Sequence, residues 1–357
     1  MLAALLTPPG RGAIAVLHVC GEGAKALVSG LFGKEIGDQP RAGRLTHQGE
    51  VVDEVMVRSA PGFTGEETVE ITCHGGAAVV ERVFAALGVP RAGTEELLER
   101  GVATGHLDRL RAEAWALLPG ALTELAARVL HDQAEGALSR AVTAMEAPRD
   151  AERLLATAPL GLALASPRRV VLAGAPNVGK STLFNALVGV DRAIVSPEPG
   201  TTRDPVRERI AIEQVPLELV DTAGVEESRD LLEQLSIERT REMLRGADAV
   251  LFLFDAEAGA RGDELRFLEA LGGRNVILLV NKIDAGSKKP LLQALPVSAR
   301  TGQGLDEVRR RILHALNVRP EYREGAPVVF TPRQEGLLSE AARGRRTVPE
   351  SRAALFS

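Results

Sequence analysis

Cysteine is scarce: the 357 residues hold two, Cys20 and Cys73, too few for a disulfide scaffold and in keeping with a reducing compartment. Each reads as a small buried hydrophobe. Long apolar runs are missing as well, and no stretch approaches the roughly 20 residues of a membrane-spanning helix. The opening Met1-Leu2-Ala3-Ala4-Leu5-Leu6 is apolar but lacks a basic flank and runs straight into Thr7-Pro8-Pro9-Gly10, so it does not read as a signal peptide. The expected location is cytoplasmic. There is no excess of positive charge either. Lys and Arg number 43 against 48 Asp and Glu, a formal net charge of -5, so a nucleic-acid partner has to be met by a local patch or through another protein.

What is present is enough apolar residue, 45% of the chain, to fill the cores of two or three domains. Runs at Ala13 to Val19 and Thr68 to Cys73 read as strands, and Ala77 to Leu87 as a helix, so residues 1–106 form a small α+β domain. Between 107 and 167 the spacing of Leu122, Leu125, Ala126, Val129, Leu130, Leu138, Ala141, Val142 and Met145 predicts helices, with breaks at Pro119-Gly120 and Pro148. From 168 to 317 strand-like runs at Val170 to Ala173, Glu208 to Ile212, Leu217 to Val220, Ala249 to Phe254 and Val276 to Val280 alternate with helical or loop segments. That rhythm predicts an α/β domain with a mostly parallel sheet. Residues 318–357 are too few to fold alone and read as a helix near Arg333 to Arg343, packed on the earlier helices, and a polar tail. Trp115 reads as a packing residue, and Arg343-Gly344-Arg345-Arg346 as a solvated segment.

The densest chemistry lies in the third region. Val170 to Ala173 runs into Gly174-Ala175-Pro176-Asn177-Val178-Gly179-Lys180-Ser181-Thr182 and then an apolar helix, the strand, loop and helix context of a phosphate cradle. Amides around Asn177, Val178 and Gly179 face phosphate oxygens at a helix start, Lys180 adds a point charge, and the Ser181 hydroxyl suits Mg²⁺. Gly200-Thr201-Thr202-Arg203-Asp204 and Asp221-Thr222-Ala223-Gly224 follow in the order of two phosphate-sensing loops. Thr202 completes the Mg²⁺ shell, Asp221 reaches it through water, and Gly224 lets a backbone N-H approach the γ-phosphate. Asn281-Lys282-Ile283-Asp284 then selects the base. The Asp284 carboxylate accepts both donors on the guanine edge, whereas adenine leaves an unpaired arrangement costing about 1 to 3 kcal/mol. Ser298-Ala299-Arg300 falls where a loop supporting the base is expected. This reads as a GTPase. Ras-like enzymes place a water-orienting glutamine directly after Asp-x-x-Gly, and here that position is Val225. Glu226, Glu227, Asp230 and Glu233 offer carboxylates instead, and sequence chemistry alone does not choose among them.

Thr7-Pro8-Pro9-Gly10-Arg11-Gly12, Phe63-Thr64-Gly65-Glu66 and His74-Gly75-Gly76, joined to these GTPase motifs, make the chain resemble the MnmE (TrmE) family of tRNA-modification GTPases over most of its length. The resemblance implies an α/β P-loop GTPase domain inserted in a helical domain, with an N-terminal α+β folate-binding domain. It implies K⁺ beside the phosphates, held by Asn177, Ser196, Thr201 and the Glu198 carbonyl, and it selects Glu233 as the catalytic carboxylate. It further implies a homodimer through the N-terminal domains, GTP-dependent contact between GTPase domains, and a FAD-dependent partner, MnmG. With that partner the family modifies C5 of the wobble uridine in certain tRNAs. The family's 5-formyltetrahydrofolate site maps onto His18, Glu70 and His106. Two of the three are histidines where the family has an arginine and a lysine, which weakens anion binding near pH 7.

The chain also departs from the family in its helical domain, abbreviated between Ala147 and Leu164 and again after Asn317. It ends Ala353-Ala354-Leu355-Phe356-Ser357 rather than in Cys-x-Gly-Lys. Those departures keep open a regulatory or scaffold protein that binds GTP without modification chemistry. A ribosome-assembly GTPase resembling Era or Der fits less well, because one nucleotide domain and an added N-terminal domain match neither.

Overall fold

A computed structural model describes residues 1–7, 12–190, 206–221, 246–271, 275–286 and 293–357. The chain forms two compact units, one from Met1–Gly120, Leu130–Pro148 and Glu340–Ser357, the other from Ala121–Val129 and Arg149–Ser339.

The first unit is built on a six-stranded sheet of β1 (Leu2–Leu5), β2 (Ile14–Cys20), β3 (Arg41–His47), β4 (Glu50–Ser59), β5 (Thr68–His74) and β6 (Arg91–Ala92), in the order β3-β4-β5-β2-β1-β6. Alternation along the strands decides which residues go inward. Ala15, Leu17 and Val19 of β2, Val69, Ile71 and Cys73 of β5 and Val55 and Val57 of β4 share one buried cluster. Val28 and Phe32 of α1 (Ala24–Phe32) and Val80, Val83 and Phe84 of α2 (Ala77–Leu87) join them. The other face carries Val16, His18, Glu70, Thr72, Met56 and Arg58. Helices α3 (Thr94–Ala103), α4 (Arg109–Leu117) and, further along, α6 (Ala137–Thr143) belong to this unit, with the start of α5 (Glu124–Ala134) assigned to the second unit and its end to the first. Trp115 of α4 meets Phe63 edge-on at 5.3 Å, within a cluster holding Leu98, Leu107 and Ala112. Both cysteines are buried and unbridged, and burial pushes the Cys73 thiol up to about 11.

The second unit is the expected α/β layer structure. Helices α7 (Pro148–Leu155) and α8 (Ala158–Ala165) precede β7 (Arg168–Gly174) and α9 (Lys180–Val190). The antiparallel pair β8 (Val206–Ile212) and β9 (Val215–Asp221) follows, then β10 (Ala249–Asp255), α10 (Gly262–Leu271), β11 (Val276–Asn281), β12 (Leu295–Pro296) and α11 (Leu305–Ala315). The sheet order is β12-β11-β10-β7-β9-β8, parallel except for β8. β7, β9 and β10 are near-continuous apolar runs because both faces are covered. One face packs on α8, α9 and α11 through residues such as Leu164, Leu183, Leu187, Val308 and Ile312, and the other face carries Val171, Val250, Phe252 and Phe254 with Leu268 against it.

The tip between β8 and β9 is a two-residue turn, Glu213-Gln214, with φ of 48° and 65°. Neither residue is the Asn or Gly that such a turn favours, and left-handed backbone at other residues costs about 1 to 3 kcal/mol each. The turn persists with a contact that offsets this strain. The Gln214 side-chain oxygen accepts from the Leu125 amide at 3.1 Å, satisfying a donor in the first turn of α5 while Thr123 Oγ1 accepts from Ala126 N. Replacing Gln214 with alanine keeps the strained turn and removes the cap, so we expect thermal unfolding to register a loss of about 1 kcal/mol.

At the C-terminus the structure corrects the sequence reading of a polar tail. The helix near Arg333 to Arg343 is α12 (Pro332–Ala342), and a further helix, α13 (Val348–Phe356), stands where the tail was expected. Its start is a capping box: Thr347 Oγ1 accepts from Glu350 N, and the Glu350 carboxylate accepts from Thr347 N. The Thr-x-x-Glu spacing is the signal for that helix start. Arg346 is correspondingly paired with Glu340 at 2.9 Å, and Arg352 donates to the carbonyls of Thr143 and Met145. Among the described residues no helix is long and apolar enough to cross a membrane.

Candidate functional site

The register of the second sheet gathers its chemistry at one edge. Gly174 at the end of β7 pairs with Leu253, Asp255 at the end of β10 pairs with Asn281 at the end of β11, and Asp221 closes β9 beside Leu172. β7 is where the chain turns from the β9 side to the β10 side, and a crevice forms at the carboxyl ends of strands at such a switch point.

From β7 the backbone turns through Gly174 (φ 140°) and Gly179 (φ 97°) into α9. Only glycine fits either position: a β-carbon would lie 2.4 Å from Leu253 O at the first and 2.3 Å from Asn281 Nδ2 at the second. Asn177 lies between them with φ 61°. Val178 is buried, Ser181 and Thr182 are exposed at the start of α9, and Lys180 is 3% exposed. Its ammonium donates to the carbonyls of Gly174 at 2.8 Å and Ala175 at 3.1 Å. The lysine is thus folded along its own loop, and phosphate oxygens would compete with two neutral carbonyls for a charged donor. Asp221 is 3% exposed. Ser181 and Asp221 offer hard oxygens of the kind Mg²⁺ takes, so these two residues fit the ion that the nucleotide motifs imply.

Asn281 ties three segments together. Its Nδ2 donates to Val178 O at 2.9 Å and its Oδ1 accepts from Ala299 N at 3.0 Å, with the side chain 2% exposed. A buried amide bonded at both ends fixes the phosphate loop against the Ser298 loop. Lys282, left-handed at φ 70°, reaches the other way, donating to Asn177 O at 2.7 Å and pairing with Asp255 at 2.6 Å. Burial raises the Asp255 carboxyl, but bonds from Lys282 and from the amides of Glu257 and Ala258 outweigh it and hold the group below its ordinary value.

Asp284 is held from two sides. Fully buried Ser298 donates its hydroxyl to Oδ1 at 2.6 Å, while the exposed Arg300 sits on Oδ2 at 2.6 Å. The Ser298 hydrogen bond, with Arg300 adding to it, holds the carboxyl below its ordinary value. Ser298 Oγ also accepts from Thr301 N, and the loop is closed by Gly302 N on Ser298 O. Asn177, Val178, Gly179, Lys180, Ser181, Thr182, Asp221, Asn281, Lys282, Asp284, Ser298, Ala299 and Arg300 therefore all stand in one unit. Ser196, Glu198, Thr201, Thr202, Thr222, Ala223, Gly224, Val225 and Glu233 lie outside the described residues. Asp255 was not foreseen. It stands at the end of a strand, as Asp221 does, but only the register sets it opposite Asn281, with Lys282 next along the chain.

In the first unit, His18, Glu70 and Arg58 are cross-strand neighbours on one face: β2 pairs His18 with Glu70, and β4 pairs Arg58 with Glu70. Arg58 holds Glu70 with two bonds, 2.7 and 3.0 Å, and His18 Nε2 lies 3.5 Å from the same carboxylate. The Arg58 fork lowers the Glu70 carboxyl, and burial lowers His18 despite the carboxylate beside it. His18 Nδ1 is buried with no partner among the described residues. His106 is exposed and packs against Gly65. Arg58 was missed by sequence reasoning, since nothing in its local sequence says that it faces Glu70.

Comparison with known proteins decides the family. Residues 1–105 match the family described as GTP-binding protein TrmE N-terminus, and residues 169–282 match the 50S ribosome-binding GTPase family. The tRNA modification GTPase MnmE of Methylibium petroleiphilum is 36% identical over 97% of this chain and 87% of its own length. The Thermus thermophilus MnmE is 34% identical over 94% and 87%. The chain belongs to the MnmE family. Its similarity to the MnmE of Carboxydothermus hydrogenoformans, 30% identical over 98% of this chain and 89% of that one, extends over 411 aligned positions. That is longer than the whole chain, so this MnmE family member lacks segments that the relative carries. The family's GTPase identity implies use of GTP with Mg²⁺.

Proposed function

We propose that this chain hydrolyses GTP as the switch of a tRNA-modifying system acting on C5 of the wobble uridine, together with a MnmG-type partner. The observation that carries the GTP reading is the Asn281 amide bridge, which couples the phosphate loop to the Ser298 loop and sets Asp284 against Ser298. Asn177 to Thr182 bind the phosphates, with Lys180 turning from its own loop carbonyls onto them, and Asp284 reads the guanine edge with Ala299 and Arg300 beside it. Ser196, Thr201, Asp221 and Thr222 to Gly224 complete the nucleotide site.

Ser181 and Thr202 would hold Mg²⁺, and Asn177, Ser196, Thr201 and the Glu198 carbonyl would hold K⁺. Bound there, these cations would offset the negative charge on the transferring phosphoryl group and its leaving oxygen. Glu233 orients the attacking water. Residues 1–106 act as the dimerisation domain, residues 107–167 with 318–357 as the helical domain, and 168–317 as the GTPase domain whose contact with a second copy depends on GTP. The test of the biological role is mass spectrometry of wobble uridines in cells lacking the gene. Loss of the C5 modification is expected, and a normal modification level would reject this role in favour of a regulatory or scaffold one.

For a reduced folate the support is poorer. Glu70 is already engaged by Arg58 through both oxygens, and burial keeps His18 neutral near pH 7. Folate carries carboxylates, which a protonated imidazole attracts and a neutral one does not. We therefore expect calorimetry with 5-formyltetrahydrofolate to show weak binding at pH 7.5 that tightens as the pH falls below about 6.5, with Glu70 still ionised. Tight, pH-independent binding would show that another cation meets the ligand.

A further inference from the structure

The Asp284 carboxylate is met from opposite directions, and the difference between the two neighbours is informative. Ser298 is 0% exposed and approaches Oδ1 from within the domain. The Arg300 side chain is 77% exposed and approaches Oδ2 from the open side, leaving the Asp284 side chain 17% exposed. A base that is to place two N-H donors on this carboxylate has to arrive from the side that Arg300 covers.

We propose that Arg300 is a latch on the base-recognition carboxylate: its guanidinium occupies Asp284 Oδ2 by ion pairing and must release that oxygen before guanine can seat. The inference rests on the reading that Asp284 receives guanine, and adds what controls entry. The latch is cheap to open: an exposed pair is worth little in water and is screened by salt, whereas the guanine donors bring a two-point contact to a carboxylate that Ser298 already fixes. Until guanine replaces it, the guanidinium also offsets the charge of the Asp284 carboxylate, so that charge is not left unpaired. On release the guanidinium stays tethered four residues beyond the end of β12, at the rim of the base site.

The chemistry gives a discriminating experiment. Guanine offers N1-H and an exocyclic amine, and so needs both carboxylate oxygens, while hypoxanthine lacks the amine and can bond one oxygen with Arg300 still on the other. Fluorescently labelled GDP and IDP would be mixed with the full-length protein and with Arg300→Ala by stopped flow. The expected result is a severalfold faster association of GDP to Arg300→Ala, with IDP association changed by less than a factor of two. Wild-type GDP association should also speed up with added choline chloride, and the variant should lose that response. Equal GDP association rates, or slower association to Arg300→Ala, would overturn the latch. If the wild-type protein binds neither nucleotide, the GTPase reading itself fails, which is a different result. Because Arg300 lies at the surface, binding by the variant reports on the site and not on folding.

Discussion

Asp284→Asn is expected to weaken GDP and GTP binding on the order of a hundredfold, about 2.7 kcal/mol, and to improve binding of the xanthine nucleotides. An amide has one acceptor where the carboxylate has two. Asparagine can therefore take one guanine donor but turns its own N-H₂ toward the other, and a buried donor facing a donor is an unpaired arrangement. Xanthine carries a carbonyl where guanine carries the amine, so the same N-H₂ finds an acceptor. The fold should tolerate the change, since the Ser298 hydroxyl, now 2.6 Å from Oδ1, can still donate to an amide oxygen. Isothermal titration with GDP and XDP checks both halves, and an unchanged preference for GDP would place base recognition elsewhere. The substitution also removes the ion pair with Arg300, so Asp284→Asn and Asp284→Asn/Arg300→Ala should associate with XDP at the same rate.

Glu233→Ala is expected to lower GTP turnover by roughly 10² to 10⁴ while leaving GDP affinity within twofold. With Val225 in the place where Ras-like enzymes carry glutamine, a carboxylate has to align the attacking water, and the MnmE pattern singles out Glu233. Alanine removes the acceptor that orients the water but no nucleotide contact, so the loss belongs to kcat and not to KM. Phosphate release measured in single turnover, in KCl and in NaCl, separates this from the cation. Wild-type turnover should fall in NaCl if K⁺ stands beside the phosphates, and Glu233→Ala should be slow in both salts. Unchanged turnover by Glu233→Ala would return the assignment to Glu226, Glu227 or Asp230.

How much of this was legible before the fold is clearest from particular stretches. Val170 to Ala173, Leu217 to Val220, Ala249 to Phe254 and Val276 to Val280 were readable as strands because buried parallel strands are near-continuous apolar runs, broken here only by Glu218, and each lies within an observed strand. The helix Ala77 to Leu87 was readable from its spacing and is bounded by glycines at both ends. β3 and β4 were not: Arg41-Ala-Gly-Arg-Leu-Thr-His47 carries few apolar residues, and in Glu50 to Ser59 Asp53 and Glu54 interrupt the valines, so neither shows a clean alternation. The helix at Val348 was overlooked because its nine residues are too few to show a helical period, although Thr347 and Glu350 carry the cap signal.

The sequence by itself determined which atoms are available and in what local frame. The loop before α9 needs glycine at Gly174 and Gly179, where a β-carbon would clash, and Lys180 and Ser181 follow directly, so the phosphate chemistry is encoded within a dozen adjacent residues. The base site proposed above is encoded in two short loops, Asn281 to Asp284 and Ser298 to Arg300. Only the tertiary structure decided how those pieces meet. Asn281 joins Val178 to Ala299 across more than a hundred residues of chain, Lys282 finds Asp255, Arg300 covers Asp284, and Arg58 claims Glu70. Each of those contacts depends on strand order and register, which arise from burying apolar faces along the whole sheet, and side-chain partners at a sheet's edge follow from that register and not from any local spacing.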